Sequence, residues 1–214
     1  MIGEAFAYPR RGEDWLMRTI IGGVLVLVGA FILIPLLLVE GYLYRVLGRT
    51  TRYDRQPPAW EDWIDLFVEG VQMYIVQIAY LLVPAILLVI GAFLTVLGPV
   101  ADGGTTTVGF GILIVGGILQ VLAAYLLPAA LTNFAYHERL GAAFDVRTVF
   151  RIAFTFEYFV VIVLVFIIGI IVGTIGAILS LIMVGVFILF YLHVAIGYLF
   201  AQAYLRGGGE TNLA

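Results

Sequence analysis

The sequence predicts an all-α protein, a polytopic helical transmembrane bundle of about five spans with one interfacial amphipathic helix. Composition is the first reason: 63% of the 214 residues are hydrophobic and only 12% are charged, where a soluble domain carries about 25% charged residues. The second is run length. Mean hydropathy is +1.12, and apolar runs longer than the ~18 residues that cross a bilayer recur along the whole chain. The third is the lack of a polar stretch long enough to bury a core of its own; the longest lies near residues 45–63. In hydrocarbon every backbone polar group must be paired within its segment, which favours helices.

Residues 1–18 read as a polar lead lying on the membrane, with Arg10, Arg11 and Arg18, Pro9 against one continuous helix, and Trp15 at the interface. Charges of both signs there, and an apolar run too long for a signal-peptide core, predict a retained first segment. A single domain follows over 19–205. Its first span is expected over 19–47, with Gly22, Gly23 and Gly29 as a small-residue surface and Pro35 as a bend. Such a helix exceeds about 40 Å, so it must tilt or project into water.

Pro57-Pro58 interrupts the chain, and an interfacial helix is predicted over 59–70. Trp60, Trp63, Ile64, Phe67, Val71 and Tyr74 make its apolar face, and Glu61, Asp62, Asp65 and Glu69 its acidic face. A second span over 71–98, bent near Pro84, leads to a turn at Asp102 to Thr107 that carries no basic residue. The third span covers 108–136 and contains Pro128. Asp145 is the expected N-cap of the helix that follows the His137 to Arg151 loop. From Ile152 to Leu205 there is room for two spans, near 152–175 and 181–205, with a turn between Gly173 and Gly185, and 206–214 is a short polar tail.

Every basic residue among the 11 is arginine, and with 14 acids the net charge is −3. A lysine-free, acidic composition is compatible with a halophilic source of GC-rich genome. With five spans, eight arginines fall on one side and Arg10, Arg11 and Arg18 on the other. The positive-inside rule then predicts a multi-pass cell-membrane protein with its C-terminus in the cytoplasm and its N-terminus outside. A first segment that re-enters without crossing would reverse the side of those three. Pro35 followed by Leu47-Gly48, and Pro128 followed by Leu140-Gly141 at the same spacing, raise an internal repeat of the kind transporters use; Tyr80 to Pro84 beside Tyr125 to Pro128 gives a competing register.

The string from Pro35 through Gly41-Tyr42 and Arg45 to Pro57-Pro58, Trp60, Asp62, Leu66-Phe67 and Gly70, then Tyr80 and Pro84, resembles the archaeal membrane family catalogued as domain of unknown function 4013. Pro128-Ala129-Ala130, Ala142-Ala143-Phe144-Asp145 and Tyr158 look like the second half of the same family, and together the matching residues cover about 15–200. The resemblance implies an uncharacterised archaeal multi-pass protein. It carries no catalytic residue to transfer.

The chemistry available is narrow. Without cysteine or lysine, thiol catalysis, Schiff-base chemistry and a P-loop lysine are closed, and Ser180 is the one serine. His137-Glu138-Arg139 lacks the second histidine of a zinc-protease helix, and the two histidines lie 56 positions apart. No catalytic residue, cofactor or metal site is assigned, and the few arginines, interleaved with acids, make a poor nucleic-acid surface. The polar residues inside or near the spans are Glu40, Glu69, Asn133, Glu157 and His193. They either pair locally or line a cytoplasm-facing polar cavity. Arg45, Arg49, Arg52, Arg147 and Arg151 are candidate contacts for anionic lipid headgroups. The expectation is a non-enzymatic integral membrane protein acting through membrane lipids, a membrane-protein partner or its own homo-oligomer; the alternative is a small-solute or ion transporter.

Overall fold

A computed structural model describes residues 2–101 and 104–209, and every regular element among them is helical. The α-helices are α1 (Ile2–Ala7), α2 (Trp15–Gly29), α3 (Leu33–Thr51), α4 (Trp63–Ala101), α5 (Gly104–His137), α6 (Val146–Ala153), α7 (Phe156–Ser180) and α8 (Gly185–Arg206), with short 3-10 turns at Tyr8–Arg10 and Leu140–Phe144. Four of them, α5, α7, α8 and the Trp63–Leu97 part of α4, are long and apolar enough to cross a membrane. The chain forms two compact units, one of Met1–Tyr74 with Ala129–Ala214 and one of Ile75–Pro128.

In the first unit the core is α8. Its buried residues mix large and small, from Phe190, Leu192 and Tyr198 to Ala195, Gly197 and Ala201. Small residues matter here because lipid tails remove the hydrophobic drive between helices and leave close packing to hold them together. Gly197 makes room for Leu43 of α3, and Gly22 and Gly23 of α2 receive the rings of Phe190 and Phe187. The backbones of α3 and the start of α4 also approach closely. A Cβ on Gly41 would overlap the Leu66 carbonyl, and one on Gly70 would overlap the Leu37 carbonyl.

The first apolar stretch is not the single span expected over 19–47. It breaks at residues 30–32, where Ile32 is extended, and returns as α3. The tip is apolar, with Phe31 86% and Leu33 63% exposed. A turn built of apolar residues offers no polar marker, and Pro35 is not a bend but part of the first turn of α3, where its missing N–H removes a donor that would have no partner. The hairpin brings both its ends together: Arg18 Nη1 donates to the Pro57 carbonyl at 2.9 Å, and the Trp60 indole N–H donates to the Arg18 carbonyl at 3.0 Å. Residues 1–18 therefore share an end with the 45–62 loop, which overturns the expectation of an N-terminus on the opposite side.

The separate interfacial helix over 59–70 is also corrected. Residues 59–62 are not helical, and α4 runs without interruption from Trp63. Leu66, Gly70 and Met73 face the protein, while Trp63, Ile64 and Phe67 point outward. Of the apolar face read from the sequence, Trp63, Ile64 and Phe67 thus lie on the outer side of a long helix, whereas Trp60 precedes that helix and is buried.

The proposed repeat gains no support, because Leu47-Gly48 sits buried inside α3 and Leu140-Gly141 lies in a 3-10 turn. The turn between α7 and α8 falls at residues 181–184, inside the expected window, and Asp145 caps α6 as expected, accepting from the Thr148 N–H. Asp102, Gly103 and the tail beyond 209 lie outside the described residues.

The second unit pairs the distal parts of α4 and α5 through glycines. Gly91 approaches Gly109 and Leu113, and Gly116 approaches Leu87 and Leu88. Thr95 donates its hydroxyl to the Gly91 carbonyl at 2.8 Å. Val89, Val96 and Val121 are about 70% exposed, as side chains facing lipid are.

Candidate functional site

Hydrogen bonds tie the arginine-bearing segments of the first unit to one another. Arg11 donates to the Arg55 carbonyl, Arg52 to the Ala135 carbonyl and to Glu138, and Arg151 to the Gly208 carbonyl. Asn133 and Tyr204 join α5 to α8 at 2.5 Å. The eleven arginines of the chain all lie on segments gathered here, and the hairpin tip and the α7–α8 turn hold none.

The five candidate polar residues do not share one cavity. Asn133 is 1% exposed, donating to the Ala142 carbonyl at 2.7 Å and accepting from Tyr204. Glu69 accepts from Arg45 Nε at 2.6 Å, and the same guanidinium donates to the Glu61 carbonyl. Glu157 is exposed in the first turn of α7, where a carboxylate favours the helix N-terminus, and it lines an open pocket with Arg206. Only Glu40 and His193 come together, their nearest atoms 3.9 Å apart across α3 and α8.

The candidate lipid-contact arginines divide as well. Arg45 and Arg52 are committed to Glu69 and Glu138, and Arg49 lies 3.6 Å from Asp54. Arg147 and Arg151 are exposed on α6, Arg151 while also donating to the Gly208 carbonyl. That helix buries Thr148, Val149, Ile152 and Ala153. Its outer surface carries two stripes at i, i+4 spacing: Val146, Phe150 and Phe154, exposed by 62%, 39% and 67%, and Arg147 with Arg151 beside them. Phe150 and Phe154 stack at 5.7 Å, and Phe156 continues the apolar stripe at 76% exposure. Sequence reading named the arginines and missed the phenylalanines, although the N-cap at Asp145 and the four-residue spacing were both legible.

Next to α6 is a cavity of about 530 Å³ lined by Asn133, His137, Arg139, Gly141, Ala142 and Asp145. The Thr148 hydrogen bonds hold the Asp145 carboxyl below the usual carboxylate range. At the N-terminal lead, burial pushes the Tyr8 phenol up to about 12; its ring packs on Tyr198 at 4.8 Å, and its hydroxyl faces the Gln56 carbonyl. Ser180 gives its hydroxyl to the Gly176 carbonyl at 2.8 Å. Among the described residues no group of three or more His, Cys, Asp or Glu side chains is placed to hold a metal ion.

Residues 23–181 match the family model described as "Protein of unknown function (DUF4013)". Neither a curated protein nor a solved structure matches the chain.

Proposed function

The chain belongs to this family of unknown function, and we propose that it is a non-enzymatic cell-membrane protein, both of whose ends lie in the cytoplasm, that works by holding anionic lipid headgroups at its arginine-bearing end. The observation that carries this reading is the pair of stripes on α6. Arginines beside exposed phenylalanines suit a helix lying in the membrane interface, rings in the acyl boundary and guanidinium groups among phosphates. The gathering of every arginine at one end supports the orientation, since arginine marks the cytoplasmic side. The neighbouring cavity, with His137 and Arg139 in its wall, has room for a headgroup.

The test is native mass spectrometry of the protein extracted under mild conditions from vesicles of mixed phosphatidylglycerol and phosphatidylcholine. The expected result is retained phosphatidylglycerol, falling several-fold in Arg147→Gln/Arg151→Gln. Equal retention by parent and variant would refute the lipid role, and a stoichiometric protein adduct in place of lipid would move the function to a partner. A second reading, small-solute or ion transport, is favoured by the Glu40–His193 pocket alone.

A further inference from the structure

Glu40 lies five residues, about 8 Å, before Arg45 on α3, and His193 lies 13 residues, about 20 Å, before Arg206 on α8, so His193 in particular sits well inside its helix. Ionisable side chains at such depth are costly, and where they occur they line a functional path more often than not. Here they open onto one cavity of about 200 Å³, between α2, α3, α8 and the start of α4. The Glu40 side chain is 15% exposed. His193 Nε2 is shut away from solvent, makes no hydrogen bond, and stands 3.9 Å from Glu40 Oε1, too far for a direct bond. Tyr74 supplies the third polar group, Phe190 an aromatic face, and Val26, Leu36 and Leu189 an aliphatic wall.

We propose that this pocket binds a small primary ammonium cation. An –NH₃⁺ group between α3 and α8 donates to the Glu40 carboxylate and to the lone pair of the His193 imidazole together, closing a gap that neither side chain closes by itself. The Tyr74 and Phe190 rings in the wall favour a cation, and the aliphatic wall takes a short alkyl chain. A volume of about 200 Å³ has room for an amine of a few carbons. Besides Glu40, His193 and Tyr74, no titratable side chain among the described residues lines the cavity. This reading is independent of the lipid role of α6.

The experiment is calorimetric titration of the full-length protein in nanodiscs with n-propylammonium chloride, with tetramethylammonium as the cation that has no N–H to donate. Saturable propylammonium binding is expected. Glu40→Gln weakens it at least about tenfold, as the loss of a charge-assisted hydrogen bond does, and tetramethylammonium binds at least about tenfold more weakly than propylammonium. Val26→Phe narrows the cavity without touching a polar group and abolishes binding; it keeps the test decisive if Glu40→Gln fails to fold. No saturable binding, equal affinity for the two cations, or binding unchanged by both substitutions would overturn the proposal.

Discussion

The two units of the chain solve the same problem differently. The unit built on α8 holds every arginine and all five candidate polar residues, and over half of the most apolar stretch of α8, 56%, is buried. The Ile75–Pro128 unit is a pair of helical segments joined through Gly91, Gly109 and Gly116, with most of its large side chains turned outward. One is a packed bundle in which Asn133, Arg45 and Glu69 are paired and Glu40 and His193 face a cavity. The other is a lipid-facing ribbon with a backbone-close seam. Function is therefore to be sought in the first, and tolerance to apolar substitution in the second.

The largest effect that separates them comes from glycine. Gly41→Val forces the α3–α4 crossing apart against the Leu66 carbonyl, and the expected cost is about 3 kcal/mol or more, read as loss of folded protein in thermal melts. Gly117→Val in the second unit meets nothing within 4 Å and is expected to change stability by less than about 0.5 kcal/mol. Equal losses at the two sites would erase the distinction.

Next in size is the Arg45–Glu69 pair, whose side chains are 17% and 23% exposed. Removing one partner strands the other; discounted for partial solvent access, Arg45→Met is expected to cost about 2 kcal/mol, and Arg45→Met/Glu69→Met to recover much of it. No recovery in the double variant would show that packing, not charge, holds the 45–69 contact.

Asp145→Ala removes the cap of α6 and is expected to cost about 1 kcal/mol. Since the native carboxyl titrates below its ordinary range, this stabilisation is complete above the ordinary carboxylate value and disappears as pH falls through the lowered one. The parent and Asp145→Ala melting curves should therefore converge in acid and separate on the way to neutral pH. A modest effect of the opposite sign is expected at the α7–α8 turn. Met183 has φ +63° and is 62% exposed, so Met183→Gly relieves a left-handed backbone and is expected to raise stability by about 0.5 to 1 kcal/mol.

What was legible in the sequence follows from the same contrast. Long helices announce themselves by run length, and α5, α7 and α8 fall within a few residues of the expected spans. The hairpin at 30–32 did not announce itself, because it is built from Phe31, Ile32 and Leu33 and not from turn-marking polar residues. Residues 59–70 misled for the opposite reason: Glu69 looks like a water-facing acid but pairs with Arg45. The residues that carry the family resemblance turn out to close this corner of the fold. Gly41 and Gly70 allow the crossing, Tyr42 stacks on Trp60 at 4.4 Å, and Arg45 reaches both Glu69 and the Glu61 carbonyl. Glu40 and His193 stand 153 positions apart, and no periodicity links them; only the packing of α3 on α8 does.

The central claim is that the first apolar stretch enters and returns, so that the N-terminal lead shares a side with the 45–62 loop. The cysteine-free sequence permits a direct measurement with single variants Glu13→Cys, Tyr53→Cys and Thr107→Cys, treated with a membrane-impermeant maleimide on intact cells and on inverted vesicles. Positions 13 and 53 should label only in inverted vesicles and position 107 only on cells. Labelling of position 13 together with 107, and apart from 53, would mean that residues 19–47 cross once and would contradict the hairpin.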